Sequence, residues 1–270
     1  MKLVMLCGNQ SNQIALVEKI HQAVNIEGVV LEARKPTKAK MNISFLASKL
    51  ADRILFFMLK NAWVGLLNYY KSSSLHNTID SITVSQINSK ETIDFIEKIQ
   101  PDYILISGTS LIKKEILSIK GVKGFINLHT GLSPYIKGGP NCTNWCIATN
   151  QAYLIGNTMM WLDLGIDSGN IIGTELTPLS GEENLLELHI KVMNHAHDMY
   201  VRTIKKLAQN ESINSIKQSE IAAGTLYYTK MWNFSVKLNF LMHYIKGSYK
   251  TSIKNRNTLI TNNHIKHYPL

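Results

Sequence analysis

The chain begins with a short apolar run within Lys2–Gly8 and a polar turn over Asn9–Asn12. A segment follows, Ser11–Val24, whose apolar positions Ile14, Ala15, Val17, Ile20 and Val24 recur at helical spacing. Ser11 is placed to cap that helix. Gly28–Leu31 turns apolar again, and strand, helix and strand at this spacing predict a parallel pair. The first turn lacks the Gly-x-Gly-x-x-Gly pattern, so nothing there points to a dinucleotide.

Residues 43–71 read as one or two helices, with Ile54–Leu59 and Ala62–Leu67 as their apolar stretches. Lys60 and Asn61 interrupt them, so no run of about 20 apolar residues exists and a buried or interface helix is expected rather than a membrane span. Thr83–Gln86 reads as a short strand. Ser89–Ile99 reads as a helix capped by Ser89, with Ile93, Ile96 and Ile99 on one face and Pro101 beyond its end. Tyr103–Ser107 is a strand, Leu111–Ile119 a helix, and Gly124–Leu128 a strand ending at His129. This alternation predicts a doubly wound, mostly parallel α/β sheet. Gly156–Leu162 and Asn170–Glu175 read as a hairpin pair, and Leu185–Leu207 as a long amphipathic helix.

Beyond that helix the composition changes. Aromatic residues interleave with lysines between Leu226 and Lys250, a helix is expected around Trp232–Tyr244, and the polar tail from Lys254 is expected to be loosely held. The division is a core domain over residues 1–209 and a small C-terminal extension over 210–270, suited to nucleotide binding or dimerisation.

The chain has 270 residues, enough for one full domain with an appendage, and its 45% hydrophobic content excludes a disordered chain. The net charge of +10 rests on scattered lysines and suits anionic ligands without selecting among them. Three cysteines, Cys7, Cys142 and Cys146, form no Cys-x-x-Cys pair. The N-terminal run has no small-residue cleavage site. Both features predict a reducing, cytoplasmic setting.

Ligands of open α/β sheets bind at the carboxyl ends of the strands. Asn127 and His129 sit there, two residues apart and so on one face of their strand. Downstream, Asp163 and Asp167 fall in a Gly-punctuated loop. An amide donor, an imidazole and a carboxylate suit addition to a carbonyl; turn and cap roles for His129 and Asp167 fit the same residues. Elsewhere, His189, His195, His197 and Asp198 lie on the long helix, but no partner ligands converge, so they read as polar decoration of an exposed face and no metal is expected. Cys142 and Cys146 read as buried thiols on a helical turn. Tyr227, Tyr228, Lys230 and Trp232 suit either a stacking wall for a nucleotide or core and dimer packing.

The wording around these residues goes further. Ile126-Asn127-Leu128-His129-Thr130-Gly131-Leu132-Ser133-Pro134-Tyr135-Ile136-Lys137-Gly138, then Gly165-Ile166-Asp167-Ser168-Gly169-Asn170-Ile171-Ile172, resembles the folate-dependent formyltransferase family. Gln100–Thr109 is similar to that family's preceding strand and pterin-side loop. The chain departs from the family pattern at Gly131 and Ser133, where the family has Ser and Leu. The resemblance implies a Rossmann-like core and formyl transfer from N10-formyltetrahydrofolate to an amine. His129 would take the proton from the attacking nitrogen, and Asn127 would donate to the oxyanion, an effect on the order of 3 kcal/mol. Asp167 would hold His129 in register, with Asp163 a second candidate for that carboxylate. Gly108, Thr109, Leu111, Leu164 and Gly165 would line the pterin slot.

Three acceptors are usual in the family: methionyl-tRNA, glycinamide ribonucleotide, and the amino group of a nucleotide-linked sugar. The small aromatic extension favours the third, with Tyr227, Tyr228, Lys230 and Trp232 as substrate-binding residues. The expectation is a homodimeric enzyme of surface-polysaccharide (O-antigen) synthesis. Methionyl-tRNA formylation and a non-catalytic anion- or nucleic-acid-binding role on the same scaffold are the alternatives.

Overall fold

The computed structural model describes residues 1–34, 53, 61–139, 141–209 and 211–270. The expected apolar stretch Ile54–Leu59 lies outside them. Seven strands form one sheet: β1 Leu3–Gly8, β2 Gly28–Glu32, β3 Asp80–Val84, β4 Tyr103–Ser107, β5 Gly124–His129, β7 Gly156–Trp161 and β8 Ile171–Leu176, in the order β3-β2-β1-β4-β5-β7-β8. The first five are parallel, β7 is antiparallel to β5, and β8 is antiparallel to β7. A two-stranded parallel ribbon pairs β6 Ile136–Gly138 with β9 Thr225–Tyr227.

Strand β1 reads Leu-Val-Met-Leu-Cys-Gly and is buried at every position, as a central strand covered on both faces must be. Leu3, Met5 and Cys7 pack with α1 (Ser11–Ala23) on one face, and Val4 and Leu6 pack with Phe95 and Ile96 of a helix at Lys90–Ile99 on the other. The long helix Leu185–Ala208, α6 in chain order after α2 (Ala62–Tyr69), α3 (Lys90–Ile99), α4 (Lys114–Leu117) and α5 (Cys142–Ala148), lies over the first of these faces. Its fully buried Tyr200 accepts a hydrogen bond at Oη from Ile106 N (2.9 Å) and donates to Ile126 O (2.7 Å). One phenol thus ties β4 to β5 just before the latter delivers its functional residues.

Four expectations change in detail. Gln10, not Ser11, is the N-cap of α1, and the Ser11 hydroxyl instead donates to Leu67 O at 2.6 Å. Strand β3 spans Asp80–Val84, earlier than Thr83–Gln86, because its first residues, Asp80 and Ser81, are exposed and polar and join the edge of the sheet by pairing with β2. The helix at Leu111–Ile119 shrinks to Lys114–Leu117, since Asn88 bonds the Leu111 carbonyl and the Lys113 amide and holds that stretch extended. The tail is not loose: Arg256–Asn262 is helical, Arg256 donates to the carbonyls of Thr177 and Ile155, and Thr174 pairs with Tyr268.

The residues after 209 continue through α7 (Gln218–Ile221), β9, α8 (Phe234–Ile245), α9 (Ser248–Lys254) and α10 (Arg256–Asn262). Phe240, Tyr249 and Ile253 share an apolar cluster with Trp145, Cys146 and Leu188, so the extension is fused to the core through packing. Among the described residues no helix is long and apolar enough to cross a membrane.

Candidate active site

Strand β5 ends in Asn127-Leu128-His129, and the two-residue period sends Asn127 and His129 to one face. That face opens on a cavity of about 510 Å³ at the carboxyl ends of β1, β4 and β5. Asn127 is half-buried, and its side-chain amide has no hydrogen-bond partner among the described residues. His129 lies deeper than a solvent-reached strand end, at 7% exposure.

Both nitrogens of the His129 ring face acceptors. Nδ1 stands 3.3 Å from Oδ2 of Asp167, and Nε2 stands 3.1 Å from the Ile136 carbonyl. Burial by itself would lower the ring, but the Asp167 carboxylate, with the contacts at Cys142 and Ile136, outweighs it and pushes His129 up to about 10. The geometry favours the protonated ring, with Asp167 beside Nδ1 and the Ile136 carbonyl beside Nε2.

The loop carrying Asp167 is built locally. Asp163 Oδ1 accepts from Gly165 N (3.0 Å) and Ser168 Oγ (2.5 Å), which makes Asp163 the residue that folds the turn. Asp167 takes a left-handed backbone, φ +47°, uncommon for a non-glycine residue. Its Oδ2 also accepts from Gly138 N at 2.9 Å. Gly138 itself, at φ +85°, lets β6 lie against β9, because a Cβ there would meet the Tyr227 carbonyl.

Cys142 Sγ lies 3.5 Å from His129 Nε2 and 3.3 Å from the Gly138 carbonyl. Burial holds this thiol above its ordinary value against the pull of His129. The glycine at 131 follows from the same crowding. A Cβ there would collide with the His129 ring and approach Cys142 Sγ at 2.8 Å.

A family profile described as formyl transferase matches residues 1–204. The chain belongs to the formyl transferase family.

Among curated relatives, methionyl-tRNA formyltransferase of Clostridium tetani is 33% identical over 134 residues, covering 49% of this chain and 42% of that one. The chain spans less than half the length of such relatives. Two solved structures share the fold. A 4-N formyltransferase from Francisella tularensis gives a TM-score of 0.53 at 18% identity, covering 85% of this chain and 76% of that chain. An N-formyltransferase from Helicobacter canadensis, in complex with folinic acid and dTDP-3-aminofucose, gives 0.57 at 16% identity, covering 91% and 81%.

Of the expected pterin-slot residues, Gly108, Thr109, Leu111 and Gly165 line the cavity, whereas Leu164 lies outside its lining at 60% exposure. Leu111 and Ile166 keep exposed apolar side chains on two loops of that cavity, a lining that fits a flat ring. Tyr227 and Tyr228 reach the cavity from β9 and the residue after it. Tyr227 is buried and stacked on Trp145 at 4.3 Å, and Trp232 packs edge-on against the same indole at 4.9 Å. Tyr228 alone of the three rings is exposed, with Lys230 Nζ 5.6 Å from its centroid.

The histidines of α6 do not decorate an exposed face. His189 and His197 are buried, and burial lowers them to about 4 and about 3. His195 pairs with Glu175 at 3.0 Å, and Asp198 pairs with Lys19. Among the described residues no group of three or more His, Cys, Asp or Glu could hold a metal. The sequence reading also missed Asn12, Gln13 and Arg34, which line the cavity, and His189, which faces it from α6. The signal for His189 was available: it falls in phase with Leu185, Leu188 and Val192, on the buried stripe.

Proposed function

We propose that the chain transfers a formyl group from N10-formyltetrahydrofolate to the amino group of a nucleotide-linked amino sugar, a step of surface-polysaccharide (O-antigen) synthesis. The observation that carries formyl transfer is the placement of Asn127, His129 and Asp167 on one cavity, with Asp167 Oδ2 3.3 Å from His129 Nδ1. When bound, the folate supplies an electrophilic formyl carbon. Leu111 and Ile166 would clasp its flat ring, and the backbone of Gly108, Thr109 and Gly165 would meet the ring's polar edge. Asn127 donates to the formyl oxygen as negative charge builds there. His129 carries the mobile proton, and Asp167 keeps its ring charged and in register.

Support for a sugar acceptor comes from the C-terminal extension, whose Tyr228 and Thr229 close one wall of the cavity. The Helicobacter canadensis enzyme bound to dTDP-3-aminofucose covers 91% of this chain, beyond the 1–204 core. We read the protein as cytoplasmic and homodimeric; the exposed apolar row Phe234, Leu238 and Met242 on α8 supports the dimer. The curated methionyl-tRNA relatives support tRNA as a rival acceptor. The test is incubation with N10-formyltetrahydrofolate and dTDP-linked 3-amino and 4-amino sugars, read as mass gain of one formyl group. Formylation of methionyl-tRNA with no reaction on any amino sugar would overturn the choice.

A further inference from the structure

Segment 216–227 of the extension touches the candidate site from two directions. Strand β9 pairs with β6, whose first residue, Ile136, gives its carbonyl to His129 Nε2. On the other side, Ile216 and Ile171 exchange two backbone hydrogen bonds, 2.8 and 2.9 Å, where the Asp167 loop runs into β8. Two residues on, Gln218 lies buried at 7% exposure at the start of α7. Its Nε2 donates to the carbonyls of both Asp167 (2.7 Å) and Gly169 (2.9 Å). An amide nitrogen has two hydrogens, and both are spent on this loop.

Such a clamp has a specific task here. Asp167 sits in the left-handed region, which the backbone of a non-glycine residue leaves readily unless its surroundings hold it. Its carboxylate must meet both Gly138 N and His129 Nδ1. The local turn made by Asp163 fixes residues 163–168, and nothing within that turn fixes the Asp167 carbonyl. Gln218 does so from outside the α/β core.

The geometry points to Gln218 as a positioning residue that holds the Asp167 loop in the register at which Asp167 meets His129. Segment 216–227 is thereby a working part of the site, whatever else the extension binds. The catalytic meaning of this placement rests on the formyl-transfer reading; the placement itself does not.

The test uses Gln218→Met, of similar length without the N–H donors, and Gln218→Asn, which keeps the amide but falls short of the loop. The titration of His129 is followed by NMR on the full chain with labelled histidine, with thermal melting and circular dichroism as fold controls. Asp167 and Cys142 are the titratable groups facing that ring, so loss of the clamp reads out through Asp167. In the folded variants the His129 midpoint should drop by about one pH unit or more as the carboxylate draws away. With an acceptor identified by the panel above, kcat should fall about tenfold or more, while the folate KM stays near wild type. An unchanged His129 midpoint in a folded variant would overturn the proposal. So would failure of both variants to fold, which would make Gln218 a determinant of the fold and not of the pair. Because the titration needs no acceptor, absence of sugar formylation would count against the proposed function alone.

Discussion

Nδ1 of His129 lies 3.3 Å from Oδ2 of Asp167, and the two residues reach that distance from unlike places: the last position of a buried strand and a loop residue in left-handed conformation. The second ring nitrogen meets a backbone carbonyl. Acceptors on both sides favour the doubly protonated ring, and Asp167 pushes it up to about 10 against the effect of burial.

This sets a direction for pH dependence. The folded ring titrates above its ordinary 6.5, so it stays a donor through neutrality and is lost as pH rises through about 10. The value of kcat/KM should therefore fall at high pH. In Asp167→Asn the counter-charge is gone and burial dominates, so that descending limb should move several pH units lower. The stability His129 contributes follows the same sign: complete below 6.5 and lost as pH rises through about 10. Matched pH–rate profiles of wild type and variant check this, and coincident limbs would contradict it.

The helix histidines predict the opposite behaviour in acid. His189 and His197 are depressed to about 4 and about 3, so they favour the folded state above 6.5 and lose that advantage as pH falls through those values. Glu175 and Glu183, held at about 2, respond only at lower pH. Denaturant titrations at pH 7 and near pH 4.5 should show wild type losing more stability between the two than His197→Phe. Equal losses would mean that burial of this imidazole is not the cause.

The three aromatic candidates should separate. Tyr227 and Trp232 pack on Trp145, so their alanine variants should lose about 3–5 kcal/mol of stability. Tyr228→Ala should leave melting unchanged and raise KM for the nucleotide sugar about tenfold, consistent with roughly 1–3 kcal/mol per stacked base. Thermal melts and steady-state kinetics on the three variants decide the matter. Normal nucleotide-sugar binding by Tyr228→Ala would place the base elsewhere.

Much of this site was legible because strands announce themselves. The alternation in Gly124–His129 put Asn127 and His129 on one face, and the apolar run at Leu3–Gly8 marked the central strand. What stayed hidden depends on contacts between distant segments. Gln218 is a single polar residue whose partners lie in another loop, and no local pattern marks it. Cys142 was read correctly as buried, but its closeness to His129 needed the β5–α5 crossing. The bounds of edge strand β3 shifted because its first residues, Asp80 and Ser81, are exposed and polar. Tyr227 and Tyr228 looked equivalent in sequence, yet adjacent residues of an extended strand end face opposite ways, one into the core and one outward.

The most direct test of the account is turnover by Asn127→Ala and His129→Ala, measured as formyl transfer from N10-formyltetrahydrofolate to the acceptor found in the amino-sugar panel. Asn127 has no partner to lose among the described residues, so its variant should keep the wild-type fold by circular dichroism. Each variant should lower kcat by about 100-fold or more, the scale of lost oxyanion and proton-transfer groups. Wild-type turnover in either folded variant would contradict the assignment of this strand end as the catalytic centre.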